Sequence, residues 1–209
     1  MGDLPALSVE ITNLEAGMAE ELAAIERLSF PMASPDDLLS ADDIRAYAAV
    51  FPAGYFVALE EGRPVGQGAG IYLDFDFDHP GHTLTGITGE HQCGNHDPDG
   101  DWYYGTDISV HPRHRGRGIG LMLYDARKQL VIEDGRRGIV AGGSLPGYFD
   151  HKQRLSAEEY VDKVVTGELF DPTLSFQLSN GFEVRGLLPN YIEDESDDGW
   201  AALIVWEAP

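Results

Sequence analysis

The chain has 209 residues, is 43% hydrophobic and carries a formal net charge of −22. That length and apolar content suffice for one buried core, and the charge excludes a general nucleic-acid binder, which needs a basic surface to release counterions. The same charge suits solubility or salt adaptation, and it attracts cationic small molecules.

Cys93 is the single cysteine, so a disulfide within the chain is excluded and a reducing compartment fits. The first residues, MGDLPALSVEITNLEAG, lack a basic start and a continuous apolar segment, unlike a signal peptide. The longest uncharged, largely apolar stretch, AYAAVFPAGYFVAL (46–59), is too short to span a bilayer and is broken by Pro52 and Gly54. A single cytoplasmic domain over residues 1–209, without a membrane partner, is expected.

In chain order, LSVEIT (7–12) reads as a first strand. AGMAEELAAIERLSF (16–30) spaces Met18, Leu22, Ile25 and Leu28 as a helix does. Ser34-Pro35 followed by acidic residues predicts a second helix reaching about Ala49. GYFVALEEGRPVGQGAGIYL (54–73) reads as two strands around Glu61-Gly62. Residues 74–101 are polar with little periodicity, and LDFDFDH (73–79) within them alternates like an edge strand with one wet face. WYYGTDISVHP (102–112) is a strand that stops at a proline. GIGLMLYDARKQLVIEDG (118–135) is helical and RRGIVAGGS (136–144) is a strand. Ser156 to Glu159 is a capping box opening a helix to about Val165. Asp171-Pro172 opens another, closed by Asn180-Gly181. FEVRGLL (182–188) and WAALIVWE (200–207) are strands joined by EDESDDG, read as a solvated loop. This order of elements, without internal repeats, predicts a mixed-sheet α/β domain.

The stretch PRHRGRGIG (112–120) sets Arg113, Arg115 and Arg117 among Gly116, Gly118 and Gly120, between a strand and a helix. A helix start offers free N–H groups and a positive dipole end. Glycines let an anion approach the backbone, and arginines add charge and paired donors. The pattern reads as an anion cradle suited to a pyrophosphate; its plainer reading is a surface turn whose arginines neutralise local acids. A P-loop needs Lys followed by Ser or Thr, where Leu121-Met122 stands here, and a Rossmann fingerprint needs G-x-G-x-x-G after the first strand.

The run Arg113-His114-Arg115-Gly116-Arg117-Gly118, after the strand end Ile108-Ser109-Val110-His111-Pro112, resembles the signature of the GNAT superfamily of acyl-CoA-dependent N-acyltransferases. The element order is similar over nearly the whole chain. DWYYGTDISVHP, AGGSLPGY, EEYVDKVVTGELFDP and LSFQLSNGFEVRGLLPNY resemble a subgroup found alone or fused to a nitrilase-like carbon–nitrogen hydrolase. The resemblance implies a mixed, mostly antiparallel sheet of about seven strands, splayed between the fourth and fifth and flanked by helices, with an extra segment at about 145–170. It also implies acetyl-CoA as acyl donor and no required metal. The backbone of Ile108, Ser109 and Val110 would pair with the pantetheine arm, and residues 115–120, Ile119 included, would hold the pyrophosphate. A primary amine would attack the thioester directly. Relatives are often dimers, so a homodimer is among the expected assemblies.

Such chemistry needs a base and sometimes an acid for the leaving sulfur. Asp107 on the fourth strand is the base candidate, against a plain strand-end role; His111 is a further candidate beside Pro112. Family members often carry a tyrosine four residues before the Gly-Phe ending the last helix, and Gln177 stands there. The asparagine expected after the fifth strand is also missing from GGSLPGYFD. Tyr148 or Tyr160 could replace the acid, although both suit packing, and the thiolate could leave unassisted. These departures keep two alternatives open: a non-catalytic acyl-CoA-binding regulatory module, and a partner subunit of a carbon–nitrogen hydrolase.

HQCGNHDPDGD (91–101) offers His91, Cys93, His96, Asp97, Asp99 and Asp101 as metal ligands, but the zinc spacing is irregular. A calcium loop beginning at Asn95 would need glutamate where Thr106 stands. A polar loop with turn chemistry is the expected reading.

Overall fold

The computed structural model describes residues 9–209, so Leu7 and Ser8 of the expected first strand lie outside the described residues. Seven strands form one sheet: β1 (Val9–Asn13), β2 (Phe56–Glu60), β3 (Arg63–Leu73), β4 (Trp102–Val110), β5 (Gly138–Ser144), β6 (Glu183–Leu188) and β7 (Ala201–Glu207). Their spatial order is β1-β2-β3-β4-β5-β7-β6, with every neighbouring pair antiparallel except β4 and β5. The helices are α1 (Ala19–Ser29), α2 (Ala41–Val50), α3 (Leu84–Thr88), α4 (Ile119–Glu133), α5 (Ala157–Val165) and α6 (Leu174–Ser179).

One sheet face packs against α1 and α2, through Leu22, Ile25, Ile44 and Tyr47 on Val57, Ala69, Ile71 and Tyr104. The other carries α4, α5 and α6, through Leu123, Tyr124, Val131, Val161 and Leu174. Burying both faces explains why β2 to β5 read as nearly continuous apolar or glycine runs. Among the described residues no helix is long and apolar enough to cross a membrane.

Several local readings change. The proline at Pro35 starts only a short 3-10 turn, and α2 begins later, where Ser40 and Asp43 make a reciprocal capping box. Residues 74–79 form no strand, because β3 ends at Leu73. Asp76 there caps a turn by accepting from the N–H of Asp78 and His79. The acidic 193–199 loop is not simply solvated: Asp197 is fully buried and accepts from the N–H groups of Leu145 and Gly199. In the 145–170 segment, Ser156 and Glu159 form the expected capping box. Asp171 fastens that segment, accepting from Tyr160 Oη, Gly147 N and the first N–H groups of α6.

Close packing shows at Gly70 of β3, where a Cβ would sit 2.1 Å from the ring of fully buried Tyr103. Gly70→Ala is therefore expected to lower stability by about 1–3 kcal/mol in urea unfolding. Gly81→Ala, whose Cβ meets nothing within 4 Å, should change it by less than about 0.5 kcal/mol.

Candidate active site

The parallel ladder pairs Trp102–Gly105 with Gly138–Ala141 and then stops. β4 continues to Val110 and β5 to Ser144, so the two strands part and leave an opening. A cleft of about 550 Å³ occupies it. β4 contributes Ile108, Ser109 and Val110 to its wall, α6 contributes Phe176 and Gln177, and the turn before α4 closes one end.

That turn is glycine-dependent at two points. Gly116 and Gly118 have φ of 73° and 82°, a left-handed conformation that side chains disfavour. The N–H groups of residues 115–118 make no backbone hydrogen bond among the described residues, and α4 starts directly after them with its own unsatisfied N–H groups. Arg115 lies on the cleft wall, with Nε donating to Val110 O at 3.1 Å. Arg117 points elsewhere: its guanidinium pairs with Glu60, which also meets His114. Arg113 is not on the cleft wall, whereas Gly116, Gly118, Ile119 and Gly120 are.

His111 N donates to Val65 O on β3. By strand alternation, the N–H and C=O groups of Ile108 and Val110 therefore face the opening. Val110 O is taken by Arg115 and Ser29, which leaves the Val110 N–H directed at the gap.

Behind the cleft lies a smaller cavity of about 110 Å³, sharing Ile108, Tyr124 and Gln177 with it and lined further by Glu26, Asp107 and Tyr191. A register shift in β4 creates this geometry. Gly70 pairs with Gly105 and Ala69 with Asp107, so Thr106 is an extra residue. Without the bulge, Asp107 would point toward α4. With it, the carboxylate turns to the α1 face, beside Glu26 of α1.

Gln67 stands between the two acids. It accepts from Tyr55 Oη at 2.8 Å and donates to Glu26 Oε2 at 3.1 Å, while the N–H of Leu39 donates to Glu26 Oε1 at 2.9 Å. Burial, and then the charge of Asp107, push the Glu26 carboxyl well above the usual range. Burial pushes Asp107 up to about 6, against the pull of the Arg127 cation and of donors from Gln67, Ser109 and the Ile108 N–H. The two titrate as a pair, so losing the second proton is disfavoured. Arg127 reaches from α4 beneath Gly68 and Gly105, where missing side chains leave it room, and its Nη2 donates to Ala69 O.

Tyr148 stands outside this arrangement. It is buried against Tyr160, and its hydroxyl donates to Leu155 O at 2.9 Å. Tyr160 gives its own hydroxyl to Asp171. Gln177, at the position where a tyrosine was expected, lines both cavities, and its buried Oε1 has no partner among the described residues. His111 caps the turn, accepting from Arg113 N.

Across 91–101, among the described residues, no three His, Cys, Asp or Glu side chains converge on a metal-sized point. Cys93 is a core thiol, pushed by burial up to about 12. His96 stacks on Phe51 and accepts from Tyr72 N.

The sequence singled out residues 113–120 and Asp107, and the structure adds Glu26, Gln67, Arg127 and Tyr191 beside Asp107. Gly68 inside β3 was the available signal that a bulky side chain, that of Arg127, lies close against the sheet there.

Residues 19–141 match the acetyltransferase (GNAT) family. The chain is 34% identical over 197 residues to the probable hydrolase YhcX of Bacillus subtilis (strain 168), covering 94% of this chain and 38% of that protein. It is 32% identical over 201 residues to the uncharacterized N-acetyltransferase YkwB of the same organism, covering 96% and 89%. Among solved structures, the loading GNATL domain of CurA from Lyngbya majuscula superimposes with a TM-score of 0.81 at 20% identity, covering 96% of this chain and 98% of that one. The GphF GNAT-like decarboxylase in complex with isobutyryl-CoA gives 0.76 at 22%, covering 96% and 100%.

The Asp107 environment sets a sign for stability. A carboxyl near 3.9 when unfolded and near 6 when folded binds its proton more tightly in the folded state. Its stabilising contribution is complete below the unfolded value and is lost as pH rises through the folded one. Urea unfolding of wild type and Asp107→Asn across that window should show the variant gaining relative to wild type as pH rises. A gap independent of pH would contradict the burial of this charge.

Proposed function

The chain belongs to the GNAT acetyltransferase family, and we propose that it moves an acetyl group from acetyl-CoA to a primary amine by direct transfer. The observation that carries this reading is the junction of the two cavities: the glycine-rich turn at one end of the cleft and a buried carboxylate in the smaller cavity behind it, joined along one strand.

In this reading the pyrophosphate lies on the N–H groups of residues 115–120, with Arg115 supplying charge. The pantetheine arm runs along the free edge of Ile108 to Val110 as an added strand. The thioester then sits where β4 and β5 part. The Val110 N–H faces the carbonyl oxygen and stabilises the negative charge that develops on it. Asp107, ionised at neutral pH, takes a proton from the attacking nitrogen. Glu26 keeps its proton more readily, and Gln67 holds the two carboxyls in one orientation. The solved relative bound to isobutyryl-CoA supports an acyl-CoA donor in this fold.

A second reading follows from the YhcX relative, of which this chain spans 38%: an acyltransferase domain that works beside a hydrolase. Co-purification of a hydrolase with this chain would support it.

Calorimetric titration with acetyl-CoA, against ADP as control, tests the donor site. Wild type should bind acetyl-CoA over ADP. Gly118→Glu, which puts a side chain and a negative charge on a left-handed backbone position against the pyrophosphate, should abolish that binding. Thiol release is then followed with putrescine, spermidine, 2-phenylethylamine and a short peptide bearing a free α-amine. Asp107→Asn should lower turnover about 10²-fold or more while acetyl-CoA affinity stays unchanged; full activity in the variant would remove Asp107 as the base.

A further inference from the structure

An ammonium substrate presents a proton count that Asp107 alone does not meet. An alkylammonium has a pKa near 10, so it enters the site protonated and must lose one proton before nitrogen can attack. It loses a second when the amide forms. One carboxylate holds one proton.

A second acceptor line leaves the same cavity. Tyr191 lines the 110 Å³ cavity together with Glu26 and Asp107. Its ring packs on Gly142, the first β5 residue after the parallel pairing ends, where a Cβ would sit 2.4 Å from the ring. The Tyr191 and Tyr104 hydroxyls lie 3.0 Å apart. Tyr104 is fully buried, and its hydroxyl is 2.6 Å from His82 Nε2. His82 in turn lines a separate surface cavity of about 400 Å³. The three side chains thus connect the reaction cavity to solvent on another side of the protein, away from the cleft that would hold the donor.

The chain has a direction. His82 Nδ1 lies 2.6 Å from Pro80 O, which can only accept, so the ring proton sits on Nδ1 and Nε2 is the acceptor. The Tyr104 hydroxyl can donate either to Tyr191 or to His82; with Nε2 as the acceptor it turns to the histidine, and at 3.0 Å the Tyr191 hydroxyl then donates to Tyr104. Each hydroxyl points its proton away from the reaction cavity. Burial lowers the His82 pKa, which keeps the ring neutral and ready to accept. The groups around it are the rings of Phe75, Tyr104 and Tyr191 and, across the surface cavity, Asp74, Asp97 and the Asp76–His79 pair.

We propose that Tyr191, Tyr104 and His82 form a proton exit that deprotonates the bound ammonium ahead of attack. This rests on the amine-acetylation reading above. The ammonium N–H bond breaks toward Tyr191 Oη, and nitrogen keeps the electron pair. The Tyr191 proton passes to Tyr104, and the Tyr104 proton to His82 Nε2. The resulting imidazolium gives its extra proton to water in the surface cavity. The free amine then forms the C–N bond, Asp107 takes the second proton, and the C–S bond breaks with its electron pair on the thiolate. Two protons leave the substrate by two routes. Tyr191 touches the substrate and is catalytic; Tyr104 and His82 act through it.

The test compares kcat/KM for the fastest amine of the panel above in wild type, Tyr191→Phe and His82→Ala, at pH near 7 and again near 9.5. Near pH 7 each variant should fall about 10²-fold. Near pH 9.5 solution supplies free amine, and the deficit should shrink to a few-fold. Added imidazole, entering through the surface cavity, should restore His82→Ala and leave Tyr191→Phe unchanged. Acetyl-CoA affinity should be equal in all three proteins. A deficit of the same size at both pH values, or no deficit, overturns the exit while leaving the transferase reading intact. Wild type that neither binds acetyl-CoA nor releases thiol with any amine overturns the transferase reading and the exit with it. Tyr191→Phe keeps the ring on Gly142, so that variant tests the hydroxyl even if His82→Ala folds poorly.

Discussion

Four residue pairs of parallel ladder hold β4 to β5, and the site depends on that ladder ending where it does. A parallel pair that continued to Val110 would consume the backbone groups that now face the opening. The extra residue at Thr106 throws β4 out of register just where the ladder ends, while β5 stays paired over its full length with β7 on its other edge. The freed backbone of β4 becomes an edge inside the protein, available to an extended ligand rather than to another strand. The same extra residue rotates Asp107 from the α4 face to the α1 face, so one bulge makes both the opening and its carboxylate.

Burying two carboxyls beside each other is costly unless each is hydrogen-bonded. Glu26 meets Leu39 N and Gln67, and Gln67 is held by Tyr55. Arg127 supplies the compensating charge from the opposite sheet face, through the gap left by Gly68 and Gly105. Burial and the neighbouring carboxylate make the pair hold a proton more tightly than free carboxyls do. It also fixes the tilt of α1, since Glu26 ties that helix to β3 and to the loop before α2.

Much of this was legible in the sequence, for identifiable reasons. The element order followed from hydrophobic period and turn residues. The cradle followed from Gly116 and Gly118, whose left-handed conformations only glycine adopts easily. Asp107 stood out as a polar residue in an apolar strand. Glu26 did not, because an acid on an amphipathic helix normally faces water; its burial comes from Gln67 and Leu39, which are distant in sequence. Tyr191 and His82 were hidden for the same reason, since each sits in a loop that only the fold brings to Gly142 or Tyr104. The Asp197 contact was hidden by composition: EDESDDG reads as solvated, yet one of its acids answers a buried N–H at Leu145.

Arg127 has an evolutionary consequence. Its guanidinium fits because position 68 lacks a Cβ, which would lie 2.9 Å from its Nη2, while a Cβ at 105 would only touch its Nη1 at 3.4 Å. Losing the arginine first would strand the Asp107–Glu26 pair without a counter-charge. Enlarging Gly68 first would push the arginine out of place. Descendants of this protein can therefore leave the arrangement only by changing several positions together, so sequence drift here should be epistatic, with glycine, arginine and carboxylate retained or abandoned as a block.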